Sequence, residues 1–550
     1  MACEVYRWVT VLCALTYIFG TLTVSVDSCL YRWWTEEEEV AVQNSLPKIR
    51  ITATSYIPVL VFVNTTQRLH TVDDRFLSVA IDSNIIRAKW KGFDFNSPKL
   101  KTLAKALVPT ILRLGGNDAD FLIFNATLQR RLPNQTKPSP SMIQTNRTTM
   151  KSKRDKARVK KMKAKWETNF TMTAEDWDNI NKFAIDVGWQ IVFDFNMLLR
   201  NDTSWDSSNA ELLLKYTRER GYNITGWELG NEPDQIYLHS NITISAEQLA
   251  HDVIGLRQLL DTHGFQESFL IGPDVTNPSP GSVPAEFLQR YLRSCGNSTF
   301  ATTWHSYSVN GKHTSVDKFI NADIMDSLKK EIEEVAKYIQ ASRPYLPKSW
   351  IGETAGAYNS GAPGLSNTFV GGFLWLDKLG LSAANGVDLV IRQTFFGGYY
   401  GLLDKNSNPT PVFWLSVLYK QLVGPIVLNV SSTSPDLRAY AHCTNNQTRY
   451  YNTGHVTLFV INLQQESHIL LTLTGDLAGK KIFQYLLTPN DKKNITATEV
   501  DLNGKLLQLT EKDTLPIMKG KELSPHEPIT LPPLCYAFFV IDANVTACYQ

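Results

Sequence analysis

The sequence predicts an α/β protein: a (β/α)8 TIM barrel followed by a C-terminal β-sandwich that an N-terminal strand joins. Three observations predict it. Two short strings, Trp-Glu-Leu-Gly-Asn-Glu-Pro (Trp227 to Pro233) and Trp-Ile-Gly-Glu-Thr (Trp350 to Thr354), each set a glutamate after a short apolar run that reads as a strand. From about Arg75 to Leu415, short apolar runs alternate with amphipathic stretches, the rhythm of strand–helix repeats. From about Gly424 onward the chain holds only short strand-like runs bounded by turn residues.

The elements follow in order. Residues 1–28 read as a secretory signal peptide. Arg7 precedes an apolar run from Trp8 to about Val26, and a polar segment containing Glu36 to Glu39 comes next. Cleavage is expected near Ser25 to Ser28, with an uncleaved anchor as the alternative. Residues 45–72 are expected to supply N-terminal strands to the sandwich, since an isolated strand pair is marginal. The barrel is placed at 73–415. Its candidate strands are Leu77–Asp82, Thr110–Leu114, Gln190–Asn196, Ile224–Leu229, Phe269–Pro273, Thr302–His305, Ser349–Gly352 and Leu389–Gln393. Amphipathic runs such as Ala246–His263 and Ile324–Ala341 supply helices between them. Residues 416–550 form the sandwich, with runs such as Val456–Leu463, His468–Leu473 and Cys535–Ile541.

Residues 125–165 do not fit the barrel pattern. They lack apolar periodicity and hold Pro133, Pro138 and Pro140, and nine of the fifteen residues from Lys151 to Lys165 are basic. Thirteen Lys/Arg against one Asp make this segment about +12, while the whole chain carries +2. Without the segment the remainder would stand near −10. Either it is an excised segment, cut at sites such as Arg130-Arg131 or Lys153-Arg154, or it is a retained surface loop that attracts polyanions. If it is excised, the product is a heterodimer; otherwise a monomer is expected.

Sequons occur about thirteen times, for example at Asn64, Asn169, Asn223, Asn297 and Asn494, as suits an exported glycoprotein. The expected location is secreted and extracellular, or lysosomal, with membrane contact only through glycans or an uncleaved signal. Outside the signal there are five cysteines, Cys29, Cys295, Cys443, Cys535 and Cys548. This odd number allows at most two bridges. There is no Cys-X-X-Cys and no Cys/His cluster, so no metal or cofactor is expected. No nucleic-acid partner is expected in an exported chain.

The two glutamates carry the chemistry. Cleaving a glycosidic bond needs a proton on the leaving oxygen and negative charge beneath the developing oxocarbenium ion. A retaining enzyme gives each task to one carboxyl, the two lying about 5–5.5 Å apart. Glu232, after the fourth candidate strand and before Pro233, is the expected proton donor. Glu353, at the end of the seventh, is the expected nucleophile. Asn231 is placed to hold a sugar 2-hydroxyl. Glu228 lies within the fourth strand, on the same side as Gly230 and Glu232, and reads as a buried supporting carboxylate. Other polar and aromatic residues gather at the same strand ends: Asp82, Asn117, His305, Tyr307, Tyr358, Gln393 and Tyr400. Arg392 is placed to pair with a catalytic carboxylate or with Glu228.

These motifs resemble the heparanase family of endo-β-glucuronidases, of glycoside hydrolase family 79 type, which includes the leech-type hyaluronidases. The resemblance runs from about Arg75 to Cys548 and is most specific at Gly226–Asp234, Gly352–Gly361, Leu376–Asn385 and Arg392–Asn406. It implies the same barrel and sandwich, with Glu232 as proton donor and Glu353 as nucleophile. It implies sugar contacts at Asp82, Asn117, Asn231, His305, Tyr307, Tyr358, Gln393 and Tyr400, and a disulfide between Cys443 and Cys548. It also places 125–165 where vertebrate members carry an excised linker. The implied activity is hydrolysis of internal β-D-glucuronosyl linkages of an extracellular glycosaminoglycan, hyaluronan or heparan sulfate. A non-catalytic glycosaminoglycan-binding relative is the alternative, although such relatives lose the pattern around the nucleophile and Gly352-Glu353-Thr354 is intact here. Vertebrate members carry basic clusters after the linker and after the fifth strand. Trp166–Thr171 and Asn277–Ser282 hold no cation here, which leans the expectation toward hyaluronan.

Overall fold

The computed structural model of the 550-residue chain describes residues 55–127, 168–447, 451–492, 494–525 and 527–549. The signal peptide, Cys29, and all of the basic segment except Asn125, Ala126 and Thr127 lie outside the described residues. No helix among the described residues is long and apolar enough to cross a membrane.

Eight parallel strands close into a barrel: Leu77–Asp82, Thr110–Gly115, Trp189–Phe195, Gly226–Leu229, Phe269–Val275, Ala301–Asn310, Lys348–Tyr358 and Leu389–Arg392. All eight candidate runs are therefore barrel strands, in chain order around the ring. Two run about five residues beyond the ends the sequence suggests. The sixth continues past His305 to Asn310, and the seventh continues past Glu353 to Tyr358. Their extensions pair with each other above the ring, up to Asn310 opposite Tyr358, which apolar patterning alone does not reveal.

The barrel interior is built in layers, because alternate residues of each strand point inward. One layer is apolar: Ala80, Ile111, Val192, Ile271, Ala301, Trp350, Leu389 and Ile391 form a buried cluster separate from the outer core. Two residues further along the strands the lining changes character. Ala80 gives way to Asp82, Ile111 to Arg113, Val192 to Asp194 and Ile391 to Gln393. The apolar layer closes the barrel below, and a charged layer opens toward the carboxyl ends of the strands.

Helices cover the outside. The Ala174–Val187 helix shows how the sequence bounds one. Thr173 and Asp176 form a reciprocal capping box, and Gly188 ends the helix with φ 78°.

The C-terminal strands form an eleven-stranded sheet with residues 56–71 among them. Of the expected N-terminal segment 45–72, residues 45–54 lie outside the described residues, and the described part forms one strand, Tyr56–Thr71. It runs antiparallel to Val423–Ser432 and parallel to His468–Thr474. Both faces of this sheet are buried in its middle. Val456, Leu458 and Val460 point into the sandwich core, while Phe459 and Ile461 join the core shared with the barrel. The Gly371–Ala384 helix lies against this second face. A Cβ on Gly380 would sit 2.3 Å from the Tyr440 ring, so glycine permits the approach. Asp377 of the same helix accepts from Arg438 Nε at 2.8 Å and from the Tyr440 hydroxyl at 2.6 Å. Cys443 and Cys548 are joined by a disulfide, while Cys295 and Cys535 are free and buried.

Candidate active site

Strand four ends in a turn whose amide groups are captured one by one. Gly230 N–H donates to Asp194 Oδ1 at 2.7 Å, Asn231 N–H to Asp120 Oδ2 at 3.2 Å, and Glu232 N–H to the Asp274 carbonyl at 3.1 Å. Gly230 has φ 84°, and a Cβ there would fall 2.2 Å from Met197 Sδ. Glu232 itself is left-handed, at φ 49°, a conformation costly for a side chain and held by these bonds. Asp234 locks the turn to the next strand by accepting from Thr276 N–H at 3.0 Å and from its hydroxyl at 2.6 Å.

Strand seven brings Glu353 to meet it. The pairing with strand six shifts between Trp304↔Ile351 and His305↔Glu353, leaving Gly352 as an extra residue. A Cβ on Gly352 would stand 2.4 Å from Asp274 Oδ1, so only glycine lets this bulge seat. One oxygen of Glu232, one of Glu353 and a ring nitrogen of His305 then lie within 4.8 Å of one another. Among the described residues these three form a donor group tight enough to hold a metal ion. They are also spaced for two-carboxyl chemistry.

Arg113, on strand two, organises the charged layer. Its fully buried guanidinium donates to Glu228 Oε2 at 2.8 Å, Glu353 Oε2 at 3.0 Å, Asn231 Oδ1 at 3.1 Å and Asp274 Oδ2 at 2.8 Å. Tyr307 OH donates to the other Glu353 oxygen at 2.6 Å, so both oxygens of that carboxylate are held. His305 Nδ1 meets Glu232 Oε1 at 3.0 Å, and its Nε2 lies 3.4 Å from Asp274 Oδ1.

The electrostatics follow from burial and pairing. Burial opposes the imidazolium, yet Glu353, Asp274 and Glu232 hold His305 well above its ordinary pKa. Against its own desolvation, Asp274 is held well below the carboxylate range by Arg113 and His305. Burial pushes Glu228 up to about 8 despite Arg113, and Asp120 up to about 8 as well. Asp82 is pushed up to about 7, by burial first and by Glu353 in part.

The residues expected at the site do gather there. Gln393 Nε2 donates to Asp82 Oδ2 at 3.3 Å, and Asn231 Nδ2 to Asn117 Oδ1 at 2.9 Å. Burial, and after it the charges of Asp82 and Glu353, push the Tyr400 hydroxyl well above its ordinary pKa. Tyr358 stands half exposed on the rim, edge-on to Tyr307 at 6.4 Å between ring centroids. Arg392 is the exception. Its expected carboxylate partners belong to Arg113, while its own guanidinium donates to the Tyr400 carbonyl at 2.7 Å and lies 4.7 Å above the Trp375 ring. Strand parity explains this: Leu389, Ile391 and Gln393 share the inward side, so Arg392 faces out. The same parity, which places Glu228 inward as expected, could have found Arg113 and Asp194, two more charges in the interior register of buried strands.

A TIM barrel with paired carboxyls on its fourth and seventh strands, at the carboxyl-terminal mouth, has the site of a glycoside hydrolase. Residues 59–380 match the family model of the glycosyl hydrolase family 79 N-terminal domain. Heparanase from Bos taurus is 39% identical over 507 residues, covering 88% of this chain and 91% of that protein. Hyaluronoglucuronidase from Hirudo nipponia is 34% identical over 502 residues, covering 87% and 96%. Inactive heparanase-2 from Homo sapiens is 32% identical, covering 89% of each. Among solved structures, a 4-O-α-L-rhamnosyl-β-D-glucuronidase from Fusarium oxysporum superposes with a TM-score of 0.61 at 14% identity, covering 89% of this chain and 99% of that one, a likeness of fold. The chain belongs to glycoside hydrolase family 79.

Proposed function

We propose that the protein is a retaining endo-β-glucuronidase that cuts glycosaminoglycan chains outside the cell or in lysosomes. The observation that carries this reading is the approach of Glu232 and Glu353 oxygens to within 4.8 Å. That spacing suits direct attack by one carboxylate; an inverting pair stands roughly 6.5–9.5 Å apart to admit a water. Glu353 attacks the anomeric carbon while Glu232 gives its proton to the leaving glycosidic oxygen. Glu232 then takes a proton from water, which releases the glucuronosyl group from Glu353 with net retention. Arg113 and Tyr307 fix the nucleophile, and Asn231, braced by Arg113 and Asn117, presents its amide toward the 2-hydroxyl position. Asp82, Gln393, Tyr400 and Tyr358 form the wall for the sugar ring.

The likeness to a heparanase and to a hyaluronoglucuronidase supports heparan sulfate or hyaluronan as substrate. Hyaluronan is favoured by the loop after strand five, where Asn277–Ser282 supplies no cation to the cleft rim. A highly sulfated chain needs several such cations.

The test uses purified protein and Glu353→Ala with hyaluronan, heparan sulfate and chondroitin at acidic and neutral pH. Wild type should generate new reducing ends bearing glucuronic acid, initially as the β-anomer by NMR. Glu353→Ala should lose on the order of 10³-fold or more in rate. Depolymerisation of none of the polymers would defeat the enzymatic reading and favour the non-catalytic one. An initial α-anomer would defeat the retaining mechanism.

A further inference from the structure

Behind strand six, outside the barrel ring, lie two buried ionisable groups that the reaction does not use. Lys378 sits on the Gly371–Ala384 helix, whose other buried residues are mostly apolar, and is 3% exposed. Glu331 sits on the neighbouring Ala322–Ala341 helix and is 5% exposed. Each feels the other's charge. Burial pulls Lys378 down to about 8 and pushes Glu331 up, with the partner opposing the shift in both cases. Two buried charged groups of this kind are no better for stability than apolar residues of the same volume, and often worse.

What distinguishes this pair is where its bonds end. Lys378 Nζ donates to the Ser306 carbonyl at 3.1 Å and to its hydroxyl oxygen at 3.2 Å. Glu331 Oε1 accepts from Asn277 Nδ2 at 2.9 Å. Asn277 in turn clasps Tyr307, accepting from its N–H at 3.2 Å and approaching its carbonyl at 3.4 Å. Thr354 Oγ1 also donates to the Ser306 carbonyl, so the same peptide is tied to the residue after Glu353. All of this converges on Ser306 and Tyr307, at the level where the Gly352 bulge has shifted the ladder. Tyr307 then reaches Glu353 at 2.6 Å.

We infer that Lys378 and Glu331 are positioning residues, which brace the Ser306–Tyr307 backbone from outside the barrel so that the Tyr307 hydroxyl stays seated on Glu353. The inference rests on Glu353 being the nucleophile. A displacement of Tyr307 by about 1 Å is enough to cost roughly 10²-fold in a positioned reaction.

The experiment is a double-mutant cycle with a substrate-free readout beside it. Lys378→Met and Glu331→Leu are made in the wild-type and Tyr307→Phe backgrounds. Asn277→Ala, in a surface loop, removes the same clasp if either buried variant fails to fold. In the wild-type background kcat should fall roughly 10- to 100-fold with KM within about twofold. In the Tyr307→Phe background the same changes should cost less than about threefold, since the group they position has gone. Equal losses in both backgrounds would overturn the inference, because a merely structural role is additive. Independently of substrate, amide exchange over residues 301–310 should speed up about tenfold in these variants, with the remaining barrel strands unchanged. Unchanged exchange at Tyr307 would also overturn it. An inactive wild type with accelerated exchange would instead fault the assigned reaction and leave the bracing intact.

Discussion

Replacing Arg113 by Met removes one guanidinium and strands three carboxylates at once. Glu228, Asp274 and Glu353 all lie within 3.0 Å of its nitrogens, and the Arg113 side chain is fully buried. Breaking a buried pair by deleting one partner costs about 3–5 kcal/mol, because the remaining charge has no compensation. Glu228, pushed up to about 8, already holds a proton at neutral pH and loses only its hydrogen bond from Arg113. Asp274 cannot do so cheaply, since it is held low and still faces His305. The loss is therefore expected near the upper end of the range, with an accompanying fall in kcat of about 10²-fold as Glu353 loses one of its two anchors. Lysine at the same position keeps the charge but cannot reach four acceptors, so Arg113→Lys should recover part of the stability and little of the activity. Denaturant unfolding and steady-state kinetics on the three proteins measure both quantities. If Arg113→Met keeps its stability within about 1 kcal/mol and its kcat within threefold, the argument that this guanidinium holds the charged layer together is wrong.

Two further expectations concern the whole fold. Glu228 and Asp120, pushed up to about 8, and Asp82, to about 7, keep protons in the native state that the unfolded chain releases near pH 4. The native state thus binds more protons between about pH 4 and pH 8, and stability should fall as pH rises through that window. His305 adds the same sign, since its raised pKa stabilises below about 6.5 and the gain is lost as pH climbs through the native value. Thermal unfolding should give a higher Tm at pH 5 than at pH 8; an equal or lower one would contradict the assignment. Separately, the Cys443–Cys548 bridge closes a loop with a sequence separation of 105, for which chain entropy gives about 4.7 kcal/mol and removal typically costs about 2–5. Cys548→Ser should destabilise the protein by that amount in denaturant, and a loss below about 1 kcal/mol would show that the sheet does not depend on the staple.

The barrel was legible because its strands are short, apolar and separated by amphipathic runs, a pattern that survives without any alignment. The two glutamates were legible because each follows such a run. Arg113 was not, because one arginine in Thr-Ile-Leu-Arg-Leu-Gly resembles a strand with an exposed position. Only the interior register, shared with Asp194 and Glu228 on neighbouring strands, betrays it. The Gly352 bulge was hidden for a different reason. It depends on how strand seven meets strand six, and a register shift leaves no mark on apolar periodicity. The cysteine pairing came through the family resemblance, since five cysteines alone leave the connectivity open.

The strand Tyr56–Thr71 has neighbours on both sides, supplied by residues 423–432 and 468–474. Barrel strands one and two come from the same early stretch of chain, and Leu122–Asn125 pairs with Phe170–Thr173 across the basic segment. A protease cut anywhere between 128 and 167 would therefore produce two polypeptides that remain interlocked. The smaller fragment would be woven into the middle of the sheet and into the wall of the barrel. It would also carry Arg113, so neither fragment could act alone: the anchor of the Glu353 carboxylate would belong to one polypeptide and the carboxylate itself to the other.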